Sequence, residues 1–204
     1  MSANPTILLL AGSPSEPSRS AALLDAVAQC LHAYHAQTDA AFTVERLSIR
    51  ELDAPALVLA DWNHPQIVAA LARVAQAQLI VVATPVYKAA YSGLLKVFLD
   101  LLPQTALAGK TVLPLATGGS PHHMLALDYA LRPVLQSLSA RHILPGVYAT
   151  DLQIPKSDVS GYTLSPDIAQ RLDEAVSNLL TEGLRMPVTA VFKPVLFSAV
   201  RCSV

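Results

Sequence analysis

At 204 residues the chain is long for one domain and short for two, and a composition 52% hydrophobic and 14% charged supports one large core and excludes general disorder. A formal net charge of −1 leaves no basic face to track nucleic acid and no acidic tail. Apolar runs such as residues 78–83 are too short to span a bilayer, and the N-terminus reads as a first strand and not as a cleavable leader, so no membrane contact and a cytoplasmic location are expected. Cys30 and Cys202 are the two cysteines, both expected to be plain thiols.

Along the chain, short apolar runs alternate with longer amphipathic ones. Residues 6–11 (Thr-Ile-Leu-Leu-Leu-Ala) read as a strand, and 19–32 as a helix with Leu23, Leu24, Val27 and Leu31 at helical spacing. Residues 42–49 alternate imperfectly and read as a second strand. A helix follows at 64–76, with Ile67, Val68, Leu71 and Val74 on one face, and then a buried strand at 78–86 that closes on a proline. Residues 92–102 form a helix, 111–117 a fourth strand, 122–139 a long helix, 143–149 a fifth strand and 166–184 a last helix. Strands and helices in this alternation make βαβ units, hence an α/β fold with a parallel sheet covered on both faces. One domain is expected over residues 1–185, followed by a tail at 186–204 rich in Val, Pro and Phe.

Such sheets bind ligands outside the carboxyl ends of their strands. The loops at 12–20, 84–93 and 117–123 are therefore the candidate site. The first, Gly-Ser-Pro-Ser-Glu-Pro-Ser-Arg-Ser, lacks the three glycines of a dinucleotide fingerprint. It offers the hydroxyls of Ser13, Ser15, Ser18 and Ser20 beside the unpaired amides of a helix N-terminus, with Arg19 able to add a charge. That set fits one phosphate monoester better than a pyrophosphate. Helix capping by Ser18 behind a stiff Pro17 is the plainer alternative, but it explains only one or two of the serines.

In the second loop Pro85 ends strand pairing, and the amides of Val86, Tyr87 and Lys88 are placed to meet the carbonyl and ring-nitrogen edge of a flat ligand. Tyr87 and Tyr91 bring planar faces to the same mouth. Lys88 is either a cation that stabilises a reduced ring or a solvated surface lysine. In the third loop Gly118 and Gly119 let backbone approach a flat ligand, with Ser120 or His122 able to hydrogen-bond it. His122 and His123 are adjacent and have no third ligand nearby, so no metal is expected. Pro133 gives the 122–139 helix no donor for the carbonyl of Tyr129, so a bend or π-bulge is expected at Asp128–Tyr129.

Four stretches carry a family resemblance: Ala11-Gly-Ser-Pro with Pro17-Ser-Arg-Ser20, Ala83-Thr-Pro-Val-Tyr-Lys-Ala-Ala-Tyr-Ser-Gly93, Pro114-Leu-Ala-Thr-Gly-Gly119, and Asp128-Tyr-Ala-Leu-Arg-Pro-Val-Leu135. Over residues 6–185 the chain resembles the flavodoxin-like NADPH-dependent FMN reductases. It looks closest to the alkanesulfonate-utilisation type, the reductase partners of two-component monooxygenases. The resemblance implies a five-stranded parallel sheet of order 2-1-3-4-5 and a homo-oligomer, a dimer or more commonly a tetramer. It implies that NADPH reduces FMN, which leaves as a product for an FMNH2-dependent monooxygenase acting on sulfonates. By position, Ser13, Ser18, Arg19 and Ser20 would hold the FMN phosphate. Pro85, Val86, Tyr87 and Lys88 would line the isoalloxazine, and Thr117, Gly118 and Gly119 its other side. Tyr129 would mark a π-helix at the tetramer contact.

No general acid or base is nominated, because hydride transfer needs two stacked rings and little water. Two rival expectations are an FMN-retaining quinone, azo or metal-oxyanion reductase, and a non-enzymatic electron carrier. The near-neutral charge counts against the carrier, since carriers of that kind dock through acidic surfaces.

Overall fold

Six apolar residues, Thr6–Ala11, make strand β1, and the chain then turns at Gly12 into helix α1 (Arg19–Gln37). The computed structural model describes residues 4–38, 40–140, 142–157 and 161–184; the expected tail from residue 186 lies outside them. Strand β2 (Thr43–Ser48) follows, then a 3-10 turn at Ile49–Glu51 and helix α2 (Ala54–Val58). The sequence reading had no place for α2. Its signal is Asp53, whose carboxylate accepts from the Ala56 amide at 2.8 Å, with Pro55 in the first turn. Helix α3 (Pro65–Gln76) leads into strand β3 (Leu79–Tyr87), which turns back through the two-residue strand β4 (Ala90–Tyr91) into helix α4 (Gly93–Leu99).

Strand β5 (Thr111–Gly118) is buried throughout. The single helix expected at 122–139 is three pieces: a 3-10 turn Pro121–Leu125, a π-helical turn Leu127–Leu131 and helix α5 (Arg132–Ser137). The Arg132 amide reaches the Leu127 carbonyl, five residues back, which is the π register expected ahead of Pro133. Two short strands, β6 (His142–Ile143) and β7 (Val147–Thr150), take the place of the single fifth strand. A small antiparallel pair, β8 (Lys156–Ser157) and β9 (Gly161–Tyr162), precedes helix α6 (Pro166–Gly183).

The main sheet runs β2-β1-β3-β5-β6, with β7 also on β5 and β4 on β3; every pairing is parallel except β3 with β4. Seven strands therefore replace the expected five. The five-strand core keeps the expected order once β6 and β7 are taken as two segments of one edge. Between those segments the edge carries an extra residue: Val112 pairs with Ile143 and Leu115 with Val147, so two residues of β5 face three of the edge. Pro145 offers no amide to the ladder, and a Cβ on Gly146 would meet the Pro114 carbonyl at 2.9 Å, so only glycine passes there without a shift. The Arg132 guanidinium donates to the carbonyls of Ile143 at 3.0 Å and Leu144 at 3.2 Å, groups that the bulge leaves short of partners.

The strand period of two sorts side chains between two cores. Leu8, Leu10, Ile80 and Val82 face α2 to α5, where they meet Ile67, Phe98 and Leu131. Ile7, Leu9, Val81 and Leu113 face α1 and α6, where they meet Leu23, Leu31, Leu172 and Leu179. No described helix is long and apolar enough to cross a membrane. The segments that follow β1, β3, β5 and β7 meet at one edge of the sheet, where they line a common cleft.

Candidate active site

The turn after β1 is fixed from below. The Gly12 amide donates to the Ala83 carbonyl at 2.8 Å, and the Ser92 hydroxyl donates to the Gly12 carbonyl. A Cβ at Gly12 would lie 3.0 Å from Leu95 Cβ and 3.1 Å from the Ala83 oxygen, so the close approach of this turn to β3 and α4 favours glycine. Ser92 in turn caps α4 by accepting from Leu95 at 3.1 Å, while its amide donates to the Thr84 hydroxyl at 3.0 Å. The first two loops are thus one bonded unit.

Beyond Gly12 the hydroxyls gather. Ser13 is 4% and Ser20 1% exposed, with Ser18 also buried. The Ser18 hydroxyl accepts from the Ala21 amide at 3.1 Å and lies 3.4 Å from that of Ser20. Its carbonyl takes the Ala22 amide at 3.1 Å. Ser18 is therefore the cap, and the first-turn amides of Arg19 and Ser20 lie as donors beside two further buried hydroxyls, those of Ser13 and Ser20, an arrangement that could hold an anion. The Ser13 hydroxyl is shared with the backbone of Ser15, 3.2 Å from both its amide and its carbonyl.

Ten of the eleven residues expected to bind the cofactor line one cleft of about 280 Å3. Ser13, Ser18, Arg19 and Ser20 form one end; Pro85, Val86 and Tyr87 form one wall and Thr117, Gly118 and Gly119 the other. A Cβ at Gly119 would meet nothing nearer than the Asp151 carboxylate at 3.9 Å, so at that residue the wall is bare backbone facing open space. A longer groove of about 920 Å3 adjoins the serine end and runs along α1 past Arg46 and Arg50. Both arginines are already paired, Arg46 with Asp25 and Arg50 with Glu16, and the groove touches neither the Pro85 nor the Gly118 loop. The smaller cleft is the one that brings the three loops together.

Two expected residues behave differently from the reading. Lys88 does not line the cleft. It is exposed at the tip of the β3–β4 hairpin, where Lys88 and Ala89 have φ of 49° and 63°, the paired left-handed residues that a tight two-residue turn requires. Arg19 lines the cleft, but its guanidinium has protein partners: the Ile154 carbonyl at 3.0 Å, the Asp151 carboxylate at 3.5 Å and the Tyr162 ring at 5.1 Å. Its charge is largely matched before any ligand arrives. Asp151 and Tyr162 also line the cleft and were missed. Asp151 directly follows β7, so the strand-end rule that picked the other three loops points to it as well.

Tyr129 stands 79% exposed on the π-helical turn and away from the cleft lining. No group of three or more metal-ligating side chains occurs among the described residues.

The cleft supplies buried hydroxyls and helix-end amides for one phosphate, and a slot between two backbone loops for a flat ring. FMN fits that pair of features. A covered parallel sheet with such a slot at its carboxyl edge defines a flavodoxin-like flavoprotein. Comparison with known proteins agrees. The family described as NADPH-dependent FMN reductase matches residues 5–153. An FMN reductase (NADPH) of Escherichia coli (strain K12) is 43% identical over 170 residues, covering 83% of this chain and 85% of its own length. Among solved structures, the apo form of an NADH:FMN oxidoreductase (EMOB) superposes with a TM-score of 0.78 at 38% identity, covering 91% of this chain and 94% of that one. A flavodoxin from Streptococcus pneumonia TIGR4, 15% identical over 87% of this chain and 98% of its own, shares the fold with a TM-score of 0.58. The chain belongs to the NADPH-dependent FMN reductase family and is an oxidoreductase whose cofactors are FMN and NADPH.

Proposed function

We propose that this protein transfers hydride from NADPH to FMN and releases the reduced flavin to an FMNH2-dependent monooxygenase acting on organosulfur substrates. The observation that carries the first half is the convergence of the serine cradle, the Pro85 turn and the Gly118 loop on one cleft. FMN bound there would supply N5 as the acceptor for a hydride from nicotinamide C4. The chain's own part is placement: hydroxyls and amides fix the phosphate, and backbone walls leave one face of the slot open for the second ring. Of the cleft's titratable side chains, which also include Tyr87 and Tyr162, Asp151 and Arg19 face each other at 3.5 Å, and no proton-transfer role is assigned.

Steady-state NADPH oxidation with FMN, riboflavin and a quinone as acceptors, with flavin content measured after gel filtration, tests this directly. Turnover with free FMN and loss of flavin on the column are the expected results. A yellow protein that keeps its flavin and prefers the quinone would favour the flavin-retaining rival instead.

The sulfonate assignment is supported by the sequence motifs at 83–93 and 128–135. Tyr129 belongs to the same proposal: an exposed tyrosine on a π-helical turn fits a contact between copies of the chain. Tyr129→Ala is expected to change both the assembly seen by light scattering and the amount of flavin retained. Unchanged values for both would remove the residue from the proposal.

A further inference from the structure

Past Thr117 the wall continues through Gly118 and Gly119 to Ser120, whose hydroxyl accepts the His122 amide at 3.3 Å within the turn itself and makes no tie to the sheet. The wall is held from β7. The Asp151 amide donates to the Gly118 carbonyl at 3.1 Å, and the Tyr148 hydroxyl crosses to donate to the Ser120 carbonyl at 2.6 Å. Tyr148 is 7% exposed, so this short bond is sheltered from competing water. Burial, with the Asp151 carboxylate nearby, pushes the phenol above its ordinary range, so it stays a donor under alkaline conditions as well as at neutral pH.

The contact is also close in space. A Cβ on Gly118 would lie 2.6 Å from the Tyr148 hydroxyl, with Val86 Cβ at 3.4 Å and the His123 ring nitrogen Nδ1 at 3.5 Å behind it. The hydroxyl therefore packs directly against the backbone of the wall and bonds its next turn. The Ser120 carbonyl also accepts the His123 amide at 3.1 Å, so the turn keeps one bond when the phenol is removed.

We propose that Tyr148 is a positioning residue for the flavin: by bonding the Ser120 carbonyl and abutting Gly118, it sets the place of the backbone wall and so the affinity for the ring, without touching the transferred hydride. The inference rests on the flavin-reductase reading of the cleft. Tyr148→Phe removes the bond and keeps the ring in the core. FMN binding by fluorescence quenching is expected to weaken about five- to tenfold, with KM for FMN rising in step and kcat at saturating FMN retained. Gly118→Ala is expected to weaken binding further in the wild-type background and to be partly rescued by Tyr148→Phe, which deletes the oxygen that the new methyl group meets.

Hydrogen exchange on the flavin-free proteins gives a readout that needs no ligand: amides at 118–121 should exchange faster in Tyr148→Phe. Wild-type affinity in Tyr148→Phe, or an equal Gly118→Ala penalty in both backgrounds, overturns the proposal. Should the wild-type chain bind no FMN, the reductase reading itself fails. The exchange pattern then decides alone whether Tyr148 holds the wall, unchanged rates at 118–121 refuting it.

Discussion

Replacing Ser20 with aspartate is expected to raise the KM for FMN at least a hundredfold while riboflavin, which lacks the phosphate, remains a substrate. Ser20 is the second residue of α1, where an acidic side chain suits the exposed amides and dipole of the helix start. The carboxylate would sit beside the Ser18 hydroxyl, 3.4 Å from the present Ser20 oxygen, and occupy the place proposed for the phosphate. Juxtaposed like charges in a sheltered site cost several kcal/mol, and each 1.4 kcal/mol is about tenfold in affinity. Steady-state kinetics with both flavins, beside a circular-dichroism melt showing an intact fold, make the test. A parallel decline for FMN and riboflavin would place the phosphate elsewhere.

The opposite dissociation is expected of Phe98→Ala. Phe98 lies on α4, fully buried between the sheet and the helices of its second face, and it is absent from the cleft lining. Truncating a buried phenylalanine costs about 3–5 kcal/mol in lost transfer energy and residual cavity. For a domain of this size that lowers the melting temperature by about 10 °C. FMN affinity measured well below the melt should stay within twofold of wild type. A loss of affinity without a loss of stability would show that α4 shapes the cleft through Ser92 and Gly12 and not merely the core.

The sequence revealed the parts of this molecule that depend on repeated local chemistry. Runs such as Leu79–Ala83 are apolar on both faces because helices cover both, and α6 shows its inward face at Ile168, Leu172, Val176 and Leu179. The π-helical turn was legible because Pro133 removes a specific donor. What stayed hidden depends on distant partners. The edge bulge exists because Gly146 must pass the Pro114 carbonyl, a contact between segments that no local pattern links. The β3–β4 hairpin has Lys88 and Ala89 at its tip instead of the usual asparagine and glycine, so its turn gave no signal, and Lys88 stayed open between the ring, where the resemblance put it, and solvent, where it lies.

At the site, the serines were readable from their density alone. Arg19 was placed at the cleft it lines, but its protein partners, Ile154, Asp151 and Tyr162, were not legible because they arrive from a distant part of the chain. Asp151 was within reach of the strand-end rule, which was not carried on to the fifth strand, whereas Tyr162 lies on the β8–β9 pair that no local pattern marked.

Because the cradle, the Pro85 turn and the Gly118 loop hang from β1, β3 and β5, they share a geometry only after pairings such as Ile7 with Leu79 and Leu79 with Thr111 have formed. If the cleft is the flavin site proposed above, no half-folded chain has a place for the coenzyme. Flavin therefore acts as a thermodynamic brake on unfolding alone, worth about 2.7 kcal/mol when present at a hundred times its dissociation constant. A cell short of flavin would hold this enzyme not only idle but measurably easier to denature and digest.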